Sequence, residues 1–232
     1  ASDVYKRQDE NNLIYKAAKL MMETYPISGG VKIHLEKHIP IAAGMAGGST
    51  DAAATLKGMN RLFDLGCTLK DLMELGVKIG ADVPYCVMGG TALAEGIGEK
   101  LTPLAPAPDC YVLVAKPDIN VSTKYVYEHL DAQEIVKHPD IDGMVEAIAE
   151  ESLQGILDRM ENVLETVTVS AYPIIQTIKD RMKELGAINS LMSGSGPTVF
   201  GIFVEKDMAR RAYDKLEEEQ LAKQIFLTEF CE

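Results

Sequence analysis

The chain has 232 residues, of which 47% are hydrophobic and 25% charged, an ordinary soluble-protein balance long enough for one large domain or two small ones. Its 23 basic and 35 acidic residues give a net charge of -12, and no basic stripe stands out, which argues against nucleic acid as a partner. No run of 18 apolar residues suggests a membrane span, none of the four cysteines forms a CxxC pair, and a cytoplasmic location is the expectation.

The elements follow in chain order. Asp9 to Tyr25 reads as a helix, with Leu13, Ala17, Leu20, Met21 and Tyr25 at three- and four-residue spacing and Asp9 as cap. Val31 to Ile39 alternates like a half-buried strand, with Val31, Ile33 and Leu35 on one face and Lys32, His34 and Glu36 on the other. The loop Pro40-Ile41-Ala42-Ala43-Gly44-Met45-Ala46-Gly47-Gly48-Ser49-Thr50-Asp51 follows. It leads into an alanine-rich helix from Thr50 to Phe63, ended by Gly66. Leu69 to Ile79 is a second helix, broken at Gly80-Ala81-Asp82-Val83-Pro84, and Val87 to Ala94 is the expected next strand.

Pro103, Pro106 and Pro108 mark a domain boundary, giving expected domains over 9–102 and 109–232. Beyond it, Tyr111 to Ala115 is an apolar strand. Helices are expected at Thr123 to Leu130, Met144 to Glu150 and Ile174 to Leu185. Ser190 to Pro197 reads as a second glycine-serine loop, Thr198 to Val204 as a strand and Ala209 to Gln220 as an amphipathic helix. Strands mixed with helices in this order indicate an α+β protein.

The first loop carries the strongest chemical signal. It joins a strand to a helix whose first N–H groups lack intrahelical partners and whose dipole end is positive. Such a junction suits a phosphate. It is neither a Walker A loop, since no lysine precedes the hydroxyl residue, nor a GxGxxG fingerprint. The plain alternative is a tight turn with Ser49 or Asp51 as N-cap. The loop's glycines, Gly47 and Gly48 among them, let backbone amides approach a ligand closely. Asp82, in an apolar break, is either a turn residue or a functional carboxylate. Gly194, Ser195 and Gly196 repeat the loop logic near the C-terminus, with an ordinary tight turn as the alternative.

These residues resemble a known family. Pro40 to Asp51 is similar to the central phosphate loop of the GHMP kinases (galactokinase, homoserine kinase, mevalonate kinase, phosphomevalonate kinase). Ser193-Gly194-Ser195-Gly196-Pro197 resembles their third motif. Gly80 to Pro84, Ala94 to Glu99, Lys116-Pro117 with Val121-Ser122-Thr123 and Val126-Tyr127, and Leu191 to Phe200 resemble the branch that phosphorylates 4-diphosphocytidyl-2-C-methyl-D-erythritol.

The resemblance implies a two-domain fold. It pairs a ribosomal-protein-S5-like N-terminal domain, here incomplete, with a ferredoxin-like C-terminal domain. It implies ATP and Mg²⁺ as cofactors and a cytidine-diphosphate-bearing small-molecule substrate. Pro40, Ile41, Ala42, Ala43, Gly44, Met45, Ala46, Gly47, Gly48, Ser49 and Thr50 would wrap the ATP phosphates, with Ser49 or Thr50 near Mg²⁺. Asp82 would act on the substrate hydroxyl. Tyr127 would stack on the cytosine, where the plain alternative is a core tyrosine, and Gly194, Ser195 and Gly196 would line the substrate site. A homodimer stays open.

The family also opens with strands bearing a catalytic lysine and a Tyr-His pair. Nothing before Asp9 matches them, Ala1 to Gln8 resembles no part of the family, and Lys6 has the wrong neighbours, so the reading is a chain lacking its N-terminal segment. The competing readings are another GHMP kinase, acting on homoserine or a sugar, and a non-catalytic binding protein of the same fold.

Overall fold

The computed structural model describes residues 9–130 and 138–230; Ala1 to Gln8 lie outside the described residues. Helix α1 (Leu13–Thr24) is capped by Asn12, whose side chain accepts from the Ile14 N–H at 2.8 Å. Asp9, the cap expected from sequence, instead accepts from the Asn11 N–H in the preceding turn. The apolar stripe begins at Leu13, and a cap must sit directly before the first helical residue.

Residues 31–39 form no strand, in contrast to the expectation: they have no ladder partner among the described residues. Alternation specifies which face is covered but supplies no partner for the backbone groups. The pattern survives in burial in part, and Ile33, expected on the covered face, departs from it. Val31, Leu35, Lys37 and Ile39 are partly covered, whereas Lys32, Ile33, His34 and Glu36 are exposed.

Helix α2 (Gly47–Leu62) starts three residues before the Thr50 expected from sequence. Helix α3 (Leu69–Val77) opens with a capping box in which the Thr68 side chain accepts from the Asp71 N–H and the Asp71 carboxylate accepts from the Thr68 N–H. Then comes α4 (Val83–Met88), followed by a hairpin of β1 (Ala92–Glu95) and β2 (Lys100–Pro103), paired antiparallel. The single strand expected over Val87 to Ala94 is thus a helix end and a separate strand. Pro84 sits in the first helical turn, where its missing N–H costs nothing. Gly89 and Gly90, with φ of 74° and 70°, end the helix. Between those signals a short apolar run does not reveal its period. α1 to α4 bury Ala17, Met21, Ala52, Leu56, Leu72 and Val83 against one another.

The rest of the described chain runs β3 (Tyr111–Lys116), α5 (Thr123–His129), α6 (Ile141–Ala149), α7 (Leu153–Asp158), α8 (Glu165–Ala171), α9 (Ile174–Glu184), β4 (Asn189–Met192), β5 (Val199–Phe203), α10 (Lys206–Glu218) and β6 (Gln224–Glu229). The four strands pair antiparallel in the order β4-β5-β3-β6. This β-α-β-β-α-β order, with β3 and β5 central, is the ferredoxin-like arrangement. Leu113, Ile178, Met182, Phe203, Ala212 and Leu216 fill the layer between the sheet, α9 and α10. Cys110, Val112, Val114 and Ile202 pack on the other face with Leu157. Burial on both faces goes with an apolar run from Tyr111 to Ala115 in β3.

Ser190 to Met192, expected in a loop, belong to β4, whose register is set by pairing with β5. The chain divides into two compact units. One runs to Ile41 and resumes over Ala46–Pro103; the other holds Ala42–Met45 with the chain from Leu104 onward.

Candidate active site

The glycine loop before α2 is wound by left-handed residues at alternate positions: Ala42, Gly44 and Ala46, with φ of 51°, 69° and 47°. Two of the three are alanines, for which this conformation costs roughly 1–2 kcal/mol each. Strain of this kind persists only where the surroundings impose it, and it clusters at functional sites. Ala46 is also the N-cap of α2, and it makes no side-chain capping bond to the first N–H groups. The plain reading of Ser49 or Asp51 as N-cap is therefore incorrect: both lie inside the helix. The Thr50 hydroxyl donates to the Ala46 carbonyl at 3.1 Å. The first N–H groups of α2, from Gly47, Gly48 and Ser49, have no intrahelical acceptor, so this end can take an anion.

The glycines are bare for reasons the sequence did not reveal. A Cβ on Gly44 would fall 2.3 Å from the Ser193 carbonyl oxygen and 3.0 Å from that of Gly196. A Cβ on Gly47 would fall 2.7 Å from Ile39 Cγ2, and one on Gly48 3.3 Å from Leu13 Cδ1. Protein neighbours therefore leave no space for a side chain at Gly47, whereas at Gly48 the one close neighbour is the tip of Leu13. Pro40 and Ile41 lead into the turn; Ala43 is buried, and Met45 packs near Cys110 and Val112.

Asp82 is the N-cap residue of α4, makes no capping bond, and is exposed. Its carboxylate has no hydrogen bond or ion pair among the described residues. One turn on, the Cys86 sulfur lies 3.6 Å from the Thr50 hydroxyl oxygen. Burial pushes the Cys86 thiol above its usual range; the Thr50 contact opposes this, and the Asp82 charge adds to it. One side chain thus touches the first turn of α2 and feels the carboxylate. The helix that Asp82 opens thus meets the first turn of α2 through Cys86, within a single unit.

The second glycine loop is the β4-β5 turn, with Gly194 and Gly196 at φ of 54° and 83°. The Asn162 amide donates to the carbonyls of Met192 and Gly194, both at 2.8 Å. The Thr168 hydroxyl donates to the Ser195 carbonyl, and the Thr123 and Ser195 hydroxyls lie 2.9 Å apart. The Ser193 hydroxyl donates to the Gly44 carbonyl at 2.8 Å, tying this turn to residues 42–45 of the same unit. Asn162 and Thr168 were not singled out by sequence. The only cue was a polar side chain at the start of α8, and its partners are 30 residues away in the chain or more. The Ser195 hydroxyl is buried and already engaged, so of this trio Gly194 is the exposed member.

Tyr127 is no core residue. It is 61% exposed on α5, whose buried residue is Val126. Among the described residues no group of three or more His, Cys, Asp or Glu could hold a metal ion alone. No helix among the described residues is long and apolar enough to cross a membrane.

Two family descriptions match, "GHMP kinases N terminal domain" over residues 12–90 and "GHMP kinases C terminal" over residues 144–223. The chain is 56% identical to the 4-diphosphocytidyl-2-C-methyl-D-erythritol kinase of Lachnoclostridium phytofermentans, over 97% of this chain and 77% of that relative. It is also 56% identical to the protein of the same name from Lachnospira eligens, over 95% of this chain and 77% of that one. A crystal structure of 4-(cytidine 5'-diphospho)-2C-methyl-D-erythritol kinase superposes with a TM-score of 0.83 at 33% identity, covering 98% of this chain and 81% of that one. Homoserine kinase from Cytophaga hutchinsonii superposes at 0.80 with 21% identity, covering 98% and 78%, a likeness of fold.

Proposed function

The chain belongs to the GHMP kinase family, and from that premise we propose that it transfers the γ-phosphoryl group of ATP to the 2-hydroxyl of 4-diphosphocytidyl-2-C-methyl-D-erythritol, a step of non-mevalonate isoprenoid synthesis carried out in the cytoplasm. The observation that carries the chemistry is the exposed carboxylate of Asp82 at the start of α4, whose Cys86 meets the first turn of α2. The names and high identity of the bacterial relatives support this acceptor over homoserine or a sugar.

The turn from Pro40 to Thr50 would hold the ATP phosphates, with the amides of Gly47, Gly48 and Ser49 directed at them. Asp82 would orient the acceptor hydroxyl and take its proton as the new O–P bond forms and the bond to the leaving ADP breaks. Mg²⁺, held through the phosphates with the hydroxyl of Ser49 or Thr50, would neutralise charge on the moving group. Tyr127, already exposed, would stack on cytosine, and the Gly194–Gly196 turn would line the substrate site. Purified full-length protein should convert ATP and this cytidine substrate to ADP and the 2-phosphate, identified by phosphorus NMR. Turnover of homoserine or galactose instead would overturn the assignment, and binding of ATP without any turnover would favour a non-catalytic protein.

Stacking of a base on an aromatic side chain is worth about 1–3 kcal/mol by alanine substitution in nucleic-acid complexes. Tyr127→Ala is therefore expected to raise the Michaelis constant for the cytidine substrate by roughly tenfold or more while leaving that for ATP nearly unchanged. Parallel steady-state titrations of the two substrates check it. Equal effects on both would remove Tyr127 from the cytosine site.

A further inference from the structure

Lys37 is a lysine that the fold turns inward. Its side chain is 9% exposed, and its ammonium donates to the Gly47 carbonyl at 2.7 Å and to the Asp51 carboxylate at 2.5 Å. Gly47 is the first residue of α2 and Asp51 lies one turn further on. The absence of a side chain at Gly47 lets this contact form, since a Cβ there would lie 3.0 Å from the ammonium nitrogen. Asp51 is itself mostly covered, its side chain 19% exposed.

A carboxylate beside a helix N-terminus competes with any anion that is to bind there, because both seek the same positive end and repel each other. Asp51 lies one turn inside that end, and its carboxylate shares the ammonium that holds the carbonyl of Gly47, the first residue of the helix. Pairing with Lys37 cancels its charge. The second bond of the ammonium fixes the Gly47 carbonyl, and with it the peptide planes that aim the neighbouring N–H groups. The alternating left-handed loop has no side-chain cap on α2 to do this.

We propose that Lys37 is a positioning residue for the phosphate turn, holding its first peptide in place and neutralising Asp51 so that the turn accepts a polyanion. This rests on the reading of that turn as the ATP phosphate site. The role is electrostatic and directional, not one of contact with the reacting atoms. It makes a prediction that plain packing does not: loss of Lys37 should weaken ligands in proportion to their phosphate charge, and removing the charge of Asp51 should undo that loss.

The test uses full-length protein, calorimetric binding of ATP, ADP and adenosine, and steady-state kinetics. Lys37→Met is expected to weaken ATP by about tenfold or more and ADP by less, with adenosine affinity and the Michaelis constant for the acceptor unchanged. Asp51→Asn alone should leave ATP affinity equal or stronger. The pair Lys37→Met with Asp51→Asn should regain most of the ATP affinity. If Lys37→Met does not fold, the Asp51→Asn variant and the double variant still decide, because a weaker ATP affinity in both, with adenosine unchanged, overturns the proposal. Equal weakening of ATP and adenosine in Lys37→Met would mark a structural lysine and also overturn it. Failure of the wild-type protein to bind ATP more tightly than adenosine would instead remove the phosphate-turn reading itself.

Discussion

Asp82→Asn is expected to lower turnover by at least about 10²-fold, the usual scale for losing a general base, while the Michaelis constants change far less. The substitution keeps the shape and removes only the charge and the ability to take a proton. Stability should hardly move. The Asp82 side chain makes no capping bond to α4 and is exposed, and exposed positions away from special features shift stability by about 0.5 kcal/mol or less. The loss is therefore separable from misfolding by comparing thermal midpoints and single-turnover rates. A second reading comes from Cys86. Part of the upward push on its thiol is the Asp82 charge, so alkylation of Cys86 at fixed pH should become somewhat faster in the variant. A variant with near-normal turnover and unaltered Cys86 reactivity would show that Asp82 neither serves the chemistry nor senses this neighbourhood.

The sequence made some features plain and hid others for physical reasons. Long periodic helices such as α9 and α10, and the doubly buried strand β3, carry their pattern in many residues, and each lies close to its expected place. The two glycine loops were legible because small residues and hydroxyls clustered between periodic segments. What those glycines do was not legible. Gly44 and Gly47 have no space for a side chain because of Ser193 and Ile39, contacts that a one-dimensional pattern does not contain. The same holds for Lys37, which alternation places on the covered face although a lysine is ordinarily read as solvated. Asn162 and Thr168 escaped notice because their value lies in carbonyls far along the chain. Short elements fared worst. Val87 to Ala94 and Val31 to Ile39 offer only a few apolar residues each, and neither a helix-starting proline nor the lack of a ladder partner shows in a period.

Gly44→Ala is expected to cause the largest loss of stability among single methyl additions to the loop. Two penalties act together. Gly44 sits at φ of 69°, where an alanine costs roughly 1–2 kcal/mol. The new methyl would also lie 2.3 Å from the Ser193 carbonyl oxygen and 3.0 Å from that of Gly196, both backbone atoms that cannot swing aside as a side-chain tip can. Overpacking of this kind typically costs about 1–3 kcal/mol more. Relief requires residues 42–45 to part from the β4-β5 turn, breaking the bond from the Ser193 hydroxyl to the Gly44 carbonyl. Loss should therefore appear in urea unfolding as a destabilisation of about 2–5 kcal/mol, the sum of the two ranges. Ala46→Gly provides the opposite control, since it relieves a left-handed alanine in the same loop and should leave stability equal or higher. ATP affinity should fall in Gly44→Ala even where the variant remains folded, because the turn would be displaced from its seat. An unchanged unfolding midpoint and unchanged ATP affinity in Gly44→Ala would mean that residues 42–45 do not depend on the second glycine turn for their position.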